Sequence, residues 1–527
     1  MTFQSVCIKK IINMKKGIGI LALMLNSLII SAQSELDISK FIIPDITGTA
    51  RYMSMGGAMG AVGGDASAIK DNPAGLGIYR SSEMTGTLNI LRQNTDATWY
   101  GLNSTNNLYK LGTNNFSLII SSATKRSKSG KTSGLQNSNF SFSYQKLKDF
   151  NRQLNINGGL SSSSMTDYMA YFTQGISESN LQSTDSYEPF DNTYIPWLSV
   201  LAYEGYLINP STNNTEWNSI LGDGEKVTPS YYLTERGSID EYSFSWAGNF
   251  SHQFYLGVTA NIQSIYYNAT TKYNEAFNQG GSMDLKNVIE SSGNGFNLNI
   301  GAILRPIDAF RMGISFQTPT VFSISEDYSS LLNYDTQQQG NIRTPGGYNS
   351  FKLQTPLQFT ASVAYLFGKN GLISAEYDYI DMKTTKLMDN NNSTYDFVEE
   401  NEGMNTAYNS TNTIKIGAEY RLTDNFSLRG GYAFMDKINP DNAQKFMKDN
   451  TIRTDTEYFL HNSTRYITGG FGYHEESWFL DFAYMNKLNK EKFYPYNSNN
   501  LAESVQGSPA NVNTTNNNFV ITLGFKF

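Results

Sequence analysis

Apolar and polar residues alternate with a period of two along most of this chain, most clearly at its end. In the final run Phe519-Val520-Ile521-Thr522-Leu523-Gly524-Phe525-Lys526-Phe527, the residues Phe519, Ile521, Leu523, Phe525 and Phe527 share one face, while Thr522, Gly524 and Lys526 share the other. The run is about as long as a tilted strand needs to cross a bilayer core, and it ends on an aromatic suited to the membrane interface. The same reading predicts strands over 83–94, 114–124, 137–150, 153–164, 239–250, 253–268, 293–305, 309–318, 355–367, 371–382, 413–422, 425–435, 465–474, 477–488 and 517–527. Phe140-Ser141-Phe142-Ser143-Tyr144 is the plainest case.

The connections alternate as well. Short ones (Ser251-His252, Arg305-Pro306-Ile307-Asp308, Gly368-Lys369-Asn370, Thr423-Asp424, Glu475-Glu476) separate long Asn/Ser/Asp-rich stretches at 328–354, 383–412, 437–464 and 489–516. Short periplasmic turns and long outer loops are the pattern of an outer-membrane barrel. An antiparallel barrel with both termini on one side needs an even strand count. The weakest candidate, 153–164 with Gly158-Gly159 and a serine run, is therefore assigned to an outer insertion at about 151–238. The expected fold is all-β, a transmembrane antiparallel barrel of about 14 strands over 81–527.

Two further features fit this class. Lys9, Lys10, Lys15 and Lys16 precede an apolar stretch at 17–30 and a small-residue site at Ser31-Ala32, which predicts a signal peptide over 1–32 and export to the outer membrane. The sequence is polar on average (mean hydropathy −0.40) yet holds 34 Tyr and 31 Phe, as lipid-facing strands and polar loops require. Without the four leading lysines, 36 basic residues face 47 acidic ones, a net of −11, which argues against nucleic-acid binding. The only cysteine, Cys7, lies in the leader, so the mature chain has neither a disulfide framework nor a thiolate metal site.

Residues 33–80 do not alternate. Small residues dominate from Gly56-Gly57-Ala58 through Asp65-Ala66-Ser67-Ala68 to Asn72-Pro73-Ala74-Gly75-Leu76, so backbone can pack on backbone. Asp65 can cap a short helix that Asn72-Pro73 would end. The apolar content (Met53, Met55, Met59, Val62, Ile69, Leu76) suits a plug inside a barrel, and no Gly-Lys-Ser/Thr phosphate loop follows the glycines.

This segment resembles the hatch signature of the FadL/TodX family of outer-membrane transporters. Gly295–Ala302, Arg311–Pro319, Ile416–Tyr420 and Leu428–Tyr432 are similar to the family's barrel strands. The resemblance implies a 14-stranded barrel plugged by an N-terminal hatch, and passive uptake of long-chain fatty acids or other hydrophobic compounds. It places the hatch and gating residues at Gly56, Gly57, Asp65, Asn72, Pro73 and Ala74.

The insertion departs from that pattern and is similar to a branch labelled hemin receptors. Haem would need accessible His, Tyr or Met ligands. Of three histidines, His252 and His474 fall at predicted short turns and only His461 in an outer loop, where a solvated side chain is expected.

No Gly-x-Ser-x-Gly elbow occurs, and the carboxylate pairs Asp240-Glu241 and Glu475-Glu476 are expected to be solvated, so no enzyme activity, catalytic residue, metal or cofactor is expected. The expected partners are the bilayer and its lipopolysaccharide, the barrel assembly machinery acting on a terminal signal (Phe519, Phe525, Phe527), and a hydrophobic small molecule captured outside by Trp197, Leu201 and Tyr203. The barrel is expected to be a monomer. Two further classes are left open: a non-specific porin, which would have a strongly charged constriction and no hydrophobic plug, and a structural or adhesive barrel.

Overall fold

The computed structural model describes residues 35–130, 132–390 and 397–527; the expected signal peptide lies outside them. Fourteen antiparallel strands form one closed sheet. They are β1 (Glu83–Trp99), β2 (Leu102–Ala123), β3 (Leu135–Asp149, continued by Arg152–Asn157), β4 (Val227–Phe250), β5 (Phe254–Phe277) and β6 (Ser282–Ile307). Then follow β7 (Phe310–Gln317 and Val321–Asp335), β8 (Gly347–Gln354 and Gln358–Leu366), β9 (Gly371–Asp381 and Lys386–Asp389), β10 (Ser410–Arg421), β11 (Phe426–Met435), β12 (Tyr458–His474), β13 (Trp478–Tyr494) and β14 (Ala510–Lys526). The last strand closes on the first, with Lys526 opposite Glu83 and Asn511 opposite Thr98. Closure removes the unpaired edge that a bilayer would not tolerate.

The two faces of the wall differ as the alternation requires. On β14, Phe519, Ile521, Leu523 and Phe525 point outward while Val520 and Thr522 are buried inside. Tyr420, Tyr473, Trp478, Phe525 and Phe527 ring the short-turn end, and Tyr242, Tyr266, Tyr377, Tyr379 and Tyr484 lie higher on the same outer face. Such aromatic belts mark the two interfaces of a membrane.

Several strands run well past the expected ends. β4 begins at Val227, so the wall claims part of what the sequence assigned to the 151–238 insertion. The segment assigned to that insertion as a non-strand, 153–164, is also partly wall: Arg152–Asn157 pairs with β4 and continues β3. It adds no strand to the barrel because it shares its partner with the piece of β3 below.

Above the membrane belt the outer face turns polar too, and the contrast between faces fades. There the strands support a cap built from α1 (Met165–Thr173) and α2 (Trp197–Glu204), whose core includes Trp99, Leu154, Ile156, Met169, Leu198, Val200 and Leu201.

Two irregularities interrupt the wall. β2 and β3 pair only from Asn115 opposite Gln145 down to Ala123 opposite Asn137. Above that level β2 pairs with β1 alone and β3 with β4 alone. The gap is crossed by the Lys110–Asp149 ion pair (3.1 Å) and, higher up, by Asn106 Nδ2 donating to Asn155 O at 3.1 Å. Tyr109 and Leu111 stand exposed on its lip. On the opposite side, β7 and β8 break at the same height around Pro319 and Pro356, which lack the N–H a ladder needs. Thr355 closes the break, its hydroxyl accepting from Thr320 N (2.9 Å) and its own N–H donating to Thr320 O (2.9 Å).

Candidate functional site

Residues 35–80 lie inside the barrel. Apart from short helical turns, the segment has little regular structure, so its backbone groups need partners from elsewhere. The inward side chains of the wall supply them. Asn139 Nδ2 donates to Leu76 O (2.8 Å), Arg311 Nη1 to Val62 O (2.6 Å), Asn299 Nδ2 to Lys70 O (2.5 Å), Thr468 Oγ1 to Ser54 O (2.8 Å) and Ser315 Oγ to Asp71 O. In return, Ala50 N donates to Thr522 Oγ1 (2.7 Å) and Gly60 N to Glu376 Oε2 (2.7 Å). A strip of Asn, Ser and Thr along the inner wall thus stands in for the missing secondary structure.

The expected hatch residues occupy defined positions in this packing. Asn72 is 1% exposed; its Nδ2 donates to Gly60 O (2.9 Å) and Ala302 O (3.2 Å), and its Oδ1 accepts from Ala74 N (3.1 Å). It caps the turn Pro73–Ile78, where Pro73 fixes the backbone of the first position. Gly257 and Gly301 of the wall face Asn72 and Pro73 so closely that a Cβ on either would overlap them. The predicted short helix is a single 3-10 turn, Ser67–Ile69. Asp65 stands one position before its N-cap, Ala66, rather than at the cap, and accepts from Ser67 N at 2.9 Å and from Thr49 Oγ1 at 2.8 Å. Gly56 and Gly57 take φ of +64° and +78°, the left-handed region that glycine reaches without a Cβ penalty. They turn the chain against the wall, where Gly417 and Gly431 admit the Met55 and Gly56 backbone. Met53, Met55, Met59, Val62, Ile69 and Leu76 are all buried.

Above this floor the lumen becomes apolar. Phe41, Ile42 and Ile43 of the N-terminal segment pack with Leu147, Phe150, Ile239, Ile265, Tyr267 and Phe322 of the wall. A chamber sits beneath, bounded by Ile42, Ile46, Tyr52, Phe322, Ile380 and Tyr466 with Lys70, Asp71, Glu241, Asp378 and Lys415 among its polar members. Its charges are mostly paired: Lys415 Nζ lies 2.7 Å from both Glu376 and Asp378, and Tyr52 donates to Asp71 at 2.7 Å. Glu241, expected to be solvated, is buried and accepts from Gln263 Nε2 at 2.8 Å because it faces the lumen from β4. A second chamber, lined by Gln93, Lys148, Asp149, Phe150, Asn151 and Tyr267, reaches the gap between β2 and β3.

The three residues expected to capture solute are placed differently from that expectation. Leu201 is 0% and Trp197 5% exposed. Leu201 belongs to the core of the cap, and Trp197 packs on Ile289, Tyr328 and Ile452 while its Nε1 donates to Phe190 O (3.1 Å). Only Tyr203 is half-buried, its hydroxyl bound to Glu178 and its ring edge-on to Trp217. An apolar helix in a polar stretch reads as a binding face in sequence, but here it closes on its own neighbours.

His461 also departs from expectation. It lies on β12, and its Nδ1 is 3.1 Å from Glu491, which Arg152 also contacts at 2.5 Å. His252 sits in the turn between β4 and β5 beside Asn249 and Arg80, and His474 faces Asp481 at 3.0 Å.

At the other end of the chain, Phe527 N donates to Ser82 O (3.0 Å) and Ser82 N to Phe527 O (3.1 Å), extending the closure by one more pair.

What sequence reading missed is the set of charges under the plug. Arg51 of the helix Ala50–Ser54 meets Glu419 of β10, which also meets Arg429 of β11, and Arg429 in turn meets Asp481 of β13. Isolated charges at inward strand positions were the only available signal.

No family model matches this chain, and no curated protein does. Its fold is similar to that of a Pseudomonas aeruginosa FadL homologue, with 12% identity over 92% of this chain and 100% of the other and a TM-score of 0.51. The Pseudomonas putida toluene transporter TodX matches at 10% identity, 92% and 100% coverage and a TM-score of 0.49, and the Ralstonia pickettii toluene transporter TbuX at 15%, 92% and 99%, and 0.47. A closed 14-stranded barrel, with an N-terminal segment folded into its lumen, is the fold of the FadL family of outer-membrane proteins, and this chain has that fold.

Proposed function

We propose that this chain is a passive outer-membrane channel for hydrophobic small molecules, long-chain fatty acids or compounds like them, with residues 35–80 as its hatch. The observation that carries the reading is the apolar lining contributed jointly by Phe41, Ile42, Ile43 and the wall, directly above a plug held by polar contacts. A hydrophobic solute gains free energy by leaving water for such a lining, roughly 25 cal/mol per Å² of apolar surface. The gap between β2 and β3 offers it a sideways path, because no ladder of backbone hydrogen bonds has to be broken there. Below, Asn72 and Pro73 close the floor, and passage requires the hatch to shift. Initial capture falls to apolar residues outside; of the three candidates, Tyr203 alone is half-exposed, so Trp197 and Leu201 would act only if the cap opened. The terminal aromatics Phe519, Phe525 and Phe527 serve closure and, we infer, recognition during assembly.

Uptake by proteoliposomes tests the reading. A hydrophobic-solute channel passes fatty acids or aromatics and excludes sugars. Sugar passage would indicate a porin, and passage of neither would favour an adhesive barrel. Mass spectrometry of ligand co-purified with the barrel would name the substrate and separate fatty acid from haem.

A further inference from the structure

The reading of residues 35–80 as a hatch leaves open what holds it shut. The inner face of β10 presents Lys415, Gly417 and Glu419 in succession, and the hatch engages all three levels. Lys415 pairs with Glu376, whose other oxygen accepts from Gly60 N (2.7 Å). Gly417 receives the Met55 backbone. Glu419 takes two donors from Arg51, Nε at 2.8 Å and Nη2 at 3.2 Å, and Arg51 Nη1 donates back to Gly64 O at 3.1 Å. The guanidinium thus bridges Gly64, at the far end of the glycine-rich turn, to the wall.

Resting on that reading, we propose that Arg51 and Glu419 form the releasable clasp that keeps the hatch closed, with Arg429 as the positioning residue that makes release reversible. Three features distinguish this contact from a purely structural ion pair. First, it is bidentate and charge-assisted, the strong form of such a bond. Second, the wall half is complete without the hatch. Arg429 Nε lies 2.6 Å from Glu419 and its Nη1 2.6 Å from Asp481, which His474 also contacts at 3.0 Å. When Arg51 leaves, Glu419 keeps a counter-charge, so the large cost of orphaning one partner of a buried pair does not arise on the wall side. Third, the departing charge has water to enter. Arg51, Glu419, Arg429, His474 and Asp481 line an open vestibule of about 650 Å³ at the short-turn end, together with Glu83 and Lys526. Arg51 and Glu419 keep 18% and 14% of their side-chain surface exposed there. By contrast, the contacts made by Asn72 and Gly60 are buried and have no such outlet.

The test uses the full-length protein in planar bilayers and in liposomes. Arg51→Gln and Glu419→Gln should each raise the open probability on the order of tenfold, the range expected for losing a partly exposed charge-assisted bond. Arg51→Lys should recover part of the closed state. Asp441→Asn, which removes only the exposed Lys437–Asp441 pair of an outer loop, should change nothing. The unmodified protein gives a result independent of folding of the variants: from 0.1 to 1 M KCl its open probability should rise as the clasp is screened.

If the two variants assemble, judged by heat-modifiable migration, and their open probability stays at the unmodified level, the clasp is overturned. An open probability of the unmodified protein that is flat across the salt series overturns it as well. Uptake is read separately. If ion conductance responds as described while no protein, unmodified or variant, takes up a hydrophobic solute, the clasp stands and the transport reading fails.

Discussion

The cap and the plug both pack against the barrel wall, and they are held by different balances of apolar and polar contact. The cap is an apolar core of interlocking side chains: Tyr231 stacks on Phe493 at 4.3 Å, Trp99 meets Phe493 edge-on, and Leu198, Val200 and Leu201 are fully buried between them. No residue of the N-terminal segment belongs to that core. The plug shares buried apolar contacts with the wall as well, Met53, Met55, Met59 and Val62 meeting Ala433, Tyr466 and Met485. But it also rests backbone to backbone on wall glycines and is fastened by hydrogen bonds and by the ion pairs Arg51–Glu419, Asp45–Lys487 and Asp37–Lys445. An interdigitated core resists sliding because any shift opens voids. A glycine seat with separable polar bonds interlocks less, which would suit the movement proposed for the hatch.

That contrast can be broken from either side, and the largest effect is expected in the cap. Leu201→Ala should destabilise it by about 2–5 kcal/mol, since the site is closed on every side. Limited proteolysis within 160–226 should accelerate while ion conductance stays at the unmodified level. A simultaneous rise in conductance would show that cap and plug are one mechanical unit. Next, Gly301→Val and Gly417→Val push a side chain into Asn72 and into the Met55 carbonyl respectively. Overpacking of this kind costs about 1–3 kcal/mol. Here it should appear as a leaking barrel with normal heat-modifiable migration, because the Met55 backbone at Gly417 and the hydrogen-bonded Asn72 side chain at Gly301 leave little room for local adjustment. Smaller again, Asn72→Ala leaves the carbonyls of Gly60 and Ala302 and the Ala74 N–H without their partner, at roughly 1–2 kcal/mol. Conductance should rise and selectivity for hydrophobic solutes should fall. A folded barrel that stays shut would instead make Asn72 part of the gating movement itself.

The same contrast explains how much could be read from sequence. All fourteen strands were legible within the membrane belt, since lipid on one side and polar partners on the other force alternation such as Phe140-Ser141-Phe142. Above the belt both faces meet polar surroundings, and the upper parts of β4, β6 and β7 read as loops. Asn72-Pro73 stood out as a helix stop and as part of the family resemblance, whereas in the structure it starts the turn Pro73–Ile78, with Asn72 as its cap. Arg51 and Glu419 did not, because 368 positions separate them and a lone charge on a strand reads as solvated. Trp197 and Leu201 misled for a related reason: whether an apolar helix faces solvent or its own neighbours depends on packing that no local pattern encodes.

The smallest effect concerns pH and again falls on the cap side. Glu457, in the connection leading into β12, is held at about pKa 7, chiefly by burial and then by the nearby Asp455 carboxylate, with Lys445 opposing. Arg453 and Lys445 hold Asp455 itself well below the usual carboxylate range against the effect of burial. The two groups therefore act in different windows. A carboxyl whose folded pKa is raised contributes stability that is full below its unfolded value near 4.5 and is lost as pH rises through about 7. A depressed one contributes above its unfolded value near 3.8 and is lost only on strong acidification. Of these two only Glu457 changes charge between pH 5 and 8, and Glu275, which accepts from Ser164 Oγ and Met165 N at the start of α1, is likewise pushed up to about 7 by burial. Cap stability should therefore decline over that interval, as measured by proteolysis within 160–226 or by the thermal midpoint in detergent. Glu457→Gln should reduce the decline, because an amide stays neutral throughout, leaving the part due to Glu275. The plug offers a direct control. If plug leakage, read as ion conductance at fixed salt, follows the same pH curve and loses it in the Gln variant, the cap and the plug are coupled through the 436–457 connection, and their separation into a locked core and a releasable seat would have to be abandoned.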